Sequence, residues 1–304
     1  MEKNYIVFTL SANRKLAREV AKSIKAPLGR VSVTHFADGE ILVKTLSIVK
    51  DKDVIVIQST KKKAHEKLFE LLLFLDSASR SGARSVQLFM PYFGYSRQER
   101  VTGYNEPVSC QVVAKMLNTT NVDSLVTFDL HHPVIEFFFT IPITNESTTP
   151  LFGEYYRNYL KENNIKNEDV IIVSPDHGSN LRADHLKDEL PGSHKIILNK
   201  YRPKANQAEH LSLNDDIVHN KVCIIIDDII DTGGTIISAT KLLYDNGAKS
   251  VLVGASHAVM SNNCVEKLRK AGVKDIVSTN SIERNLNKGV KILDILPLVL
   301  KEIK

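Results

Sequence analysis

Three carboxylates and a glycine pair stand close together at the end of an apolar run. The segment 222–236, VCIIIDDIIDTGGTI, begins as a β-branched stretch typical of a buried strand and then reaches the pair Asp227 and Asp228. An acidic pair cannot bind phosphate itself, but it can accept hydrogen bonds from sugar hydroxyls or from metal-bound water. The small-residue turn that follows, before a helix expected near Ile236, can offer backbone N–H groups to a phosphate. The order therefore predicts a sugar phosphate site. Its turn comprises Thr232, Gly233, Gly234 and Thr235, directly after the third carboxylate, Asp231.

Four other apolar runs are followed by complementary chemistry. Carboxylate and imidazole groups can bind Mg²⁺ and its waters, and Lys and Arg side chains can pair with the negative charge of phosphate. Because ligands of open parallel sheets bind beyond the carboxyl ends of the strands, these side chains are expected at one edge of the molecule. No GxxxxGK[ST] or GxGxxG motif occurs, which argues against a P-loop and a dinucleotide-binding fold. The residues are His131 after 125–128, Asp176 after 170–173, Lys200 and Arg202 after 195–198, and Arg97 and Gln98 after 86–90.

Short β-branched runs alternate with longer helical patterns along the chain. In the segment 65–82, one helical face carries Leu68, Leu71, Leu72, Leu75 and Ala78, and Gly82 is a natural stop. Nearly all-apolar strands alternating with helices predict an α/β fold, with mainly parallel sheets covered by helices on both faces. The predicted strands are 6–10, 54–58, 86–90, 125–128, 170–173, 195–198, 222–226, 250–254 and 275–278.

The length of 304 residues suits two domains of about 150 residues each. A helix, a glycine and a strand recur as GARSV at 82–86 and as GAKSV at 247–251, which favours two similar halves. A junction around 143–150 gives predicted domains at 1–145 and at 146–304, and the second contains the predicted sugar phosphate site.

The composition is that of an ordinary globular protein, with 43% hydrophobic and 25% charged residues. No apolar run approaches the ~18 residues of a membrane helix, and the N-terminal apolar stretch is too short for a signal peptide. The three scattered cysteines are expected to be reduced thiols of a cytoplasmic protein. A net charge of +5 admits nucleic-acid binding, but without a long basic run it favours an enzyme with small anionic substrates.

Seven ordered motifs resemble those of one family, ribose-phosphate diphosphokinase (phosphoribosyl-diphosphate synthetase). The resemblance covers nearly the whole chain, and the segment 222–236 is also similar to the phosphoribosyl-diphosphate signature of type I phosphoribosyltransferases. The other six motifs are FADGE at 36–40, DVIVIQST at 53–60, PYFGYSRQER at 91–100, FDLHH at 128–132, VSPDHG at 173–178 and NKYRPKAN at 199–206.

The resemblance implies a reaction, a metal and an assembly. ATP and ribose 5-phosphate would give AMP and phosphoribosyl diphosphate, with the anomeric hydroxyl attacking the β-phosphorus. Mg²⁺, two phosphoribosyltransferase-like domains and a homo-oligomer built from dimers, commonly a hexamer, are implied as well. No nucleic acid or membrane partner is expected.

The resemblance also implies roles for matching residues. His131 and Asp176 would bind metal and ATP phosphates. Lys200 and Arg202 would be flexible-loop cations that close over the transferring group. Arg97 and Gln98 would contact ATP, and Phe36, Asp38 and Glu40 would form an adenine pocket lent by a neighbouring subunit. Asp227 and Asp228 would hold ribose hydroxyls, and residues 231–235 would hold the 5-phosphate. No general base is identified.

Several positions depart from the family pattern. The glycine pair of the diphosphate turn is Gly178-Ser179, and further departures lie at 47–50, 99–101, 132–137 and 256–263. Most fall where the family binds regulatory phosphate and ADP or packs subunits, so we expect activity with weakened phosphate activation and ADP inhibition. Two alternatives are a non-catalytic regulatory subunit, which should have lost metal or loop residues, and a true phosphoribosyltransferase, which would leave the FADGE and SRQER motifs unexplained.

Overall fold

The computed structural model describes residues 3–201, 210–212, 216–283 and 289–303, with side chains described in 3–198, 217–283 and 289–303. These residues form two compact units. The first contains the chain up to Ser147 together with 281–283 and 295–303, and the second contains Thr148–Asn280 with 289–294. The predicted boundary at 145/146 placed residues 281–283 and 295–303 in the second domain, whereas in the structure they belong to the first unit.

The first unit is built on five parallel strands in the order β1-β4-β5-β6-β7, and β2 and β3 form a separate antiparallel pair. In chain order its elements are β1 (Tyr5–Thr9), α1 (Arg14–Ser23), β2 (Val31–His35), β3 (Ile41–Thr45), β4 (Asp53–Ile57), α2 (Ala64–Arg80), β5 (Ser85–Met90), α3 (Ser109–Asn118), β6 (Ser124–Phe128) and β7 (Ile143–Glu146).

The second unit is built on six parallel strands in the order β15-β14-β13-β12-β8-β9, with β10 and β11 as an antiparallel pair. The remaining elements are α4 (Thr149–Glu162), β8 (Val170–Ser174), α5 (Asn180–Glu189), β9 (His194–Ile197), β10 (Asn199–Tyr201), β11 (His210–Ser212), β12 (Val222–Ile230), α6 (Gly234–Asp245), β13 (Ser250–Ala258), α7 (Cys264–Lys270), β14 (Val273–Thr279), β15 (Lys291–Leu293) and, in the first unit, α8 (Leu296–Lys301).

Apolar burial explains why the two sheets form as the sequence predicts. All five residues of β4 and of β8 are buried, as expected for strands covered on both faces. On α2, Leu68, Leu71 and Leu75 are buried in the core of the first unit. Each such side chain contributes about 1.5–3 kcal/mol on burial. The predicted α/β class with mainly parallel sheets is confirmed.

The strand β12 is longer than the sequence suggested, because it continues from 226 to Ile230. Its pairing with β8 ends at Ile225, whereas its pairing with β13 continues to Ile230. Asp227 and Asp228 therefore lie within a strand that keeps a strand neighbour on one side alone. The expectation that the carboxylates begin where the strand ends was wrong, because pairing with β13 alone extends β12 by four residues, from 227 to Ile230.

The C-terminus returns to the first unit through specific polar contacts. The Lys301 ammonium lies 3.1 Å from the Glu146 carboxylate, and the Gln87 amide donates to the Glu302 carbonyl at 2.8 Å. Asn13 donates to the carbonyl of Ser281 at 3.0 Å.

Among the described residues, no helix is both long enough and apolar enough to cross a bilayer.

Candidate active site

The turn after β12 has the geometry of a phosphate site. Gly233 has a φ of +83° and precedes α6, whose first residue is Gly234. A Cβ atom on Gly233 would lie 2.8 Å from the Cys264 sulfur, so this position requires glycine for both its φ and its space. The first N–H groups of α6 have no partners within the helix, which leaves them available to an anion.

The acidic pair precedes this turn in the chain. It is contacted by Ser179, the residue before α5, and by Arg182 of α5. Asp227 is half-buried, and its Oδ1 accepts hydrogen bonds from the Ser179 hydroxyl at 2.5 Å and from the backbone N–H of Asp228 at 2.9 Å. Asp228 is 3% exposed, and its carboxylate lies 3.9 Å from the Arg182 guanidinium. One of the two carboxylates is thus hydrogen-bonded to a hydroxyl and the other is paired with a cation.

Electrostatics oppose ionisation of this pair. Burial, and then the neighbouring Asp228 carboxylate, raise the pKa of Asp227 well above its ordinary value, while the Ser179 hydroxyl and Arg182 act in the opposite direction. A carboxylate that is this hard to ionise is characteristic of a functional site rather than of a solvated loop.

Asp176 lies at the end of the neighbouring strand β8. It caps the short 3-10 turn His177–Ser179, and its Oδ1 accepts the Ser179 backbone N–H at 3.2 Å. The Ser174 hydroxyl donates to the Asp176 carbonyl at 2.6 Å. Ser179 therefore touches both predicted acids of the second unit, Asp176 through its backbone and Asp227 through its side chain.

In the first unit, a cleft of about 500 Å³ lies beyond β5. Its lining includes Arg97 and Gln98, both exposed, and the Gln98 Oε1 accepts the Ser109 hydroxyl at 2.6 Å. The cleft thus offers a guanidinium and an amide beside aromatic rings, a combination that can contact a nucleotide. The lining residues are Ala64, Tyr92, Tyr95, Arg97 and Gln98.

The wall of this cleft is fixed to the end of β4. The Thr60 hydroxyl accepts the Gly94 N–H at 2.7 Å, and the Thr60 N–H donates to the Tyr92 carbonyl at 3.1 Å. A Cβ atom on Gly94 would lie 2.6 Å from the Thr60 carbonyl oxygen. The sequence marked this region only as the motif at 53–60, and Thr60 was not predicted to hold the cleft.

The motif at 36–40 forms the turn between β2 and β3. The Phe36 N–H donates to the Glu40 carbonyl at 2.8 Å, the Glu40 N–H donates to Asp38 Oδ1 at 3.1 Å, and Gly39 has a φ of +96°. Phe36 is 54% exposed, and none of Phe36, Asp38 and Glu40 is among the residues that line the cleft. The local geometry is that of a tight turn, and the adenine-pocket role stays a prediction.

The two predicted metal ligands belong to different units, His131 to the first and Asp176 to the second. Among the residues whose side chains are described, no group of three or more His, Cys, Asp or Glu could hold a metal ion. Mg²⁺ in phosphate-transfer sites is commonly held by one or two carboxylates, with phosphates and waters supplying the other ligands. The carboxylate of Asp176, beside a turn and an α-helix N-terminus, fits that kind of site. The neighbouring His132 caps a 3-10 turn by accepting the Val134 N–H at 3.1 Å.

Two predicted catalytic cations lie largely outside the described residues. The backbone of Lys200 lies in β10 and pairs with Leu211 of β11, but its side chain is outside the described part of the chain. Arg202 lies wholly outside it.

Sequence reasoning missed two contacts of the acid pair, Ser179 and Arg182. Arg182 lies in the first turn of α5 and reaches Asp228 across a gap of 46 positions in the chain, which no local pattern signals. Ser179 was noticed only as a departure from a glycine pair.

The chain matches known proteins along nearly its whole length. The model of the N-terminal domain of ribose phosphate pyrophosphokinase matches residues 5–120, and the phosphoribosyl transferase domain model matches residues 151–291. A ribose-phosphate pyrophosphokinase of Bacillus caldolyticus is 39% identical over 98% of this chain and 93% of its own length. Ribose-phosphate pyrophosphokinase 1 of Listeria monocytogenes is 40% identical over 91% of this chain and 85% of its own length.

A solved structure agrees with these relatives. The crystal structure of phosphoribosylpyrophosphate synthetase from Mycobacterium smegmatis superposes with a TM-score of 0.89 at 31% identity, covering 98% of this chain and 97% of that one. The resemblance found in the sequence motifs is thereby confirmed, and the chain belongs to the ribose-phosphate pyrophosphokinase (ribose-phosphate diphosphokinase) family.

Proposed function

We propose that this protein is a ribose-phosphate diphosphokinase. It transfers the β,γ-diphosphoryl group of ATP to the 1-hydroxyl of ribose 5-phosphate, which gives phosphoribosyl diphosphate and AMP for nucleotide biosynthesis. The observation that carries the proposal is the arrangement along β12, where a carboxylate pair is followed directly by a phosphate turn at the start of α6. Membership of the family over nearly the whole chain supports the ATP-dependent reaction.

The acceptor half follows from the second unit. Asp227 and Asp228 hold the ribose hydroxyls, since carboxylates accept hydrogen bonds from hydroxyl donors. The residues from Asp231 to Thr235 hold the 5-phosphate through backbone N–H groups and the positive end of α6, worth about 0.3–1 kcal/mol and up to ~2 when partly buried. The sugar lies with its hydroxyls toward the strand and its phosphate toward the helix.

The donor half is assigned to the first unit. Arg97 and Gln98 contact ATP from the cleft beyond β5, and His131 follows β6. Phe36, Asp38 and Glu40 form an adenine pocket in a neighbouring copy. This last assignment requires a homo-oligomer, which we propose to be built from dimers.

The metal ligands are His131 and Asp176. These two side chains would hold Mg²⁺, which would supply positive charge to offset that of the phosphates. The protein orients the 1-hydroxyl of the sugar and the β-phosphorus of ATP, while Lys200 and Arg202 offset charge on the transferring group. Diphosphoryl transfer depends mainly on such positioning and charge neutralisation, so the proposal needs no dedicated general base.

Three expectations belong to this proposal. The protein acts in the cytoplasm, in keeping with three buried free cysteines. Activity persists without phosphate, and ADP inhibits weakly. Strongly sigmoidal phosphate activation of the purified protein would contradict the regulatory part alone.

One assay tests the proposal: release of AMP from ATP, measured with and without ribose 5-phosphate and Mg²⁺. We expect release that requires both and is matched by phosphoribosyl diphosphate. The double substitution Asp227→Asn and Asp228→Asn should abolish it, whereas Asp245→Asn, an exposed site at the far end of α6, should not. A wild-type protein that binds ATP but releases no AMP would favour the non-catalytic alternative.

A further inference from the structure

Ser179 has a side chain that the usual role of its position does not explain. It is the residue before α5, where serine ordinarily accepts a hydrogen bond from an N–H of the first helical turn. Here the side chain makes no such capping bond. Its hydroxyl instead donates to Asp227 Oδ1 at 2.5 Å, 48 positions away in the chain.

The contact lies in a protected environment. Ser179 is 3% exposed, and its φ of −91° and ψ of 4° are open to any residue, so the backbone does not require serine. A hydrogen bond to a charged carboxylate is stronger than one between neutral groups. The serine therefore matters through its hydroxyl.

The hydroxyl fixes one oxygen of the carboxylate. Oδ1 of Asp227 accepts both the Ser179 hydroxyl and the Asp228 N–H, which sets the rotation of the carboxylate plane. A carboxylate has about four lone-pair sites, so the group keeps acceptor capacity for a ligand hydroxyl. The same serine donates its backbone N–H to Asp176 Oδ1 at 3.2 Å. One residue thus joins the turn after β8 to the acid pair in β12.

We infer that Ser179 is a positioning residue for ribose 5-phosphate. Its hydroxyl orients Asp227 toward the ribose hydroxyls, and its backbone N–H keeps Asp176 in register with that carboxylate. This role rests on the proposed function and adds to it a residue that acts through Asp227 without touching the reacting atoms.

Two substitutions separate the hydroxyl from the backbone. Ser179→Ala leaves a methyl group that excludes water, so Asp227 Oδ1 loses one of its two donors. Ser179→Gly leaves space in which a water can replace the hydroxyl. We expect KM for ribose 5-phosphate to rise about tenfold in Ser179→Ala and less in Ser179→Gly. KM for ATP should stay within about twofold. The measurement is initial-rate AMP release at varied concentrations of each substrate.

Ser193→Ala is the matched control. Ser193 is another buried serine of the second unit, 4% exposed, and its hydroxyl has no hydrogen-bond partner in the described structure. Its removal should leave both KM values unchanged. If Ser179→Ala does not fold, Ser179→Gly, which needs no space, still provides the test.

A double-variant cycle with Asp227→Ala, which removes the acceptor, tests whether the serine acts through the carboxylate. In the Asp227→Ala background, Ser179→Ala should change kcat/KM for ribose 5-phosphate by less than about twofold. Full additivity of the two effects would overturn the inference, as would a wild-type KM in Ser179→Ala while the wild-type enzyme is active. A wild type without ribose-5-phosphate-dependent AMP release would instead overturn the proposed function, and this inference with it.

Discussion

The substitution Gly233→Ala tests the phosphate turn directly. Gly233 has a φ of +83°, and a Cβ atom there would lie 2.8 Å from Cys264 Sγ and 3.4 Å from Leu268 Cδ2. The adjacent Gly234 is a matched control, because its φ is not in the left-handed region and the nearest atom to its added Cβ is Thr232 Oγ1 at 3.9 Å. The two positions differ in conformation and space while sharing the same turn.

Two costs apply to Gly233→Ala. The left-handed conformation costs a residue with a Cβ about 1–2 kcal/mol. The overlap with Cys264 forces the turn or the sulfur to move by several tenths of an ångström, and overpacking of this kind costs about 1–3 kcal/mol. The free energy of unfolding should therefore fall by about 2–5 kcal/mol. Gly234→Ala should be neutral or stabilising by up to about 1 kcal/mol, since it stiffens the first residue of α6.

The assay combines denaturant unfolding with initial rates of AMP release. A displaced turn moves the backbone N–H groups that receive the 5-phosphate, so KM for ribose 5-phosphate should rise in Gly233→Ala with little change in KM for ATP. Adding Cys264→Ala should recover the packing cost but not the conformational one. Equal stability and equal KM for Gly233→Ala and Gly234→Ala would refute this account of the turn.

Three further predictions concern charged groups. Because the pKa of Asp227 is raised, the folded state binds this proton more tightly than the unfolded chain does, and ionisation of Asp227 destabilises the fold as pH rises. Asp227→Asn should therefore raise Tm by about 2–4 °C at neutral pH. In thermal scans at lower pH, this gain should fade toward about pH 4. Arg84 holds the pKa of Asp53 well below its ordinary value, so ionised Asp53 stabilises the fold at pH values above the unfolded-state pKa. Asp53→Asn should lower the free energy of unfolding by about 2 kcal/mol at neutral pH, a figure reduced because Arg84 is partly exposed. In urea titrations, the difference from wild type should shrink on acidification. Lys200→Ala should lower kcat by roughly 10²–10³ with little change in ATP binding, and a kcat within about threefold of wild type would remove Lys200 from the mechanism.

The sequence predicted those parts of the fold that depend on local pattern. Each predicted strand is present within a few residues, because continuous β-branched runs have few alternatives to burial in a parallel sheet. The β2–β3 pair was missed because its strands are short and only partly buried. The strand β7 was missed because its sequence, ITNE, is mostly polar and falls where a linker was expected. The return of α8 to the first unit depends on contacts far apart in the chain, such as that of Lys301 with Glu146.

The candidate site divides in the same way. The phosphate turn was predictable because a glycine at a strand-to-helix junction indicates a backbone with positive φ, and Gly233 has a φ of +83°. The partners of the acid pair were not predictable, since Ser179 and Arg182 reach it through tertiary structure. The proposed roles of Lys200 and Arg202 rest on family resemblance alone.

Extension of β12 beyond its partner β8 is what allows an acidic pair to lie in a strand. Up to Ile225 the strand has neighbours on both sides, and a carboxylate there would be buried without a donor. Beyond that point the β8 side is taken by the turn and helix that follow β8, which supply the Ser179 hydroxyl to Asp227 and the Arg182 guanidinium to Asp228. These contacts offset only part of the desolvation, since the pKa of Asp227 stays raised. A hydroxyl-rich ligand would supply the missing donors, so the site should gain stability when ribose 5-phosphate binds.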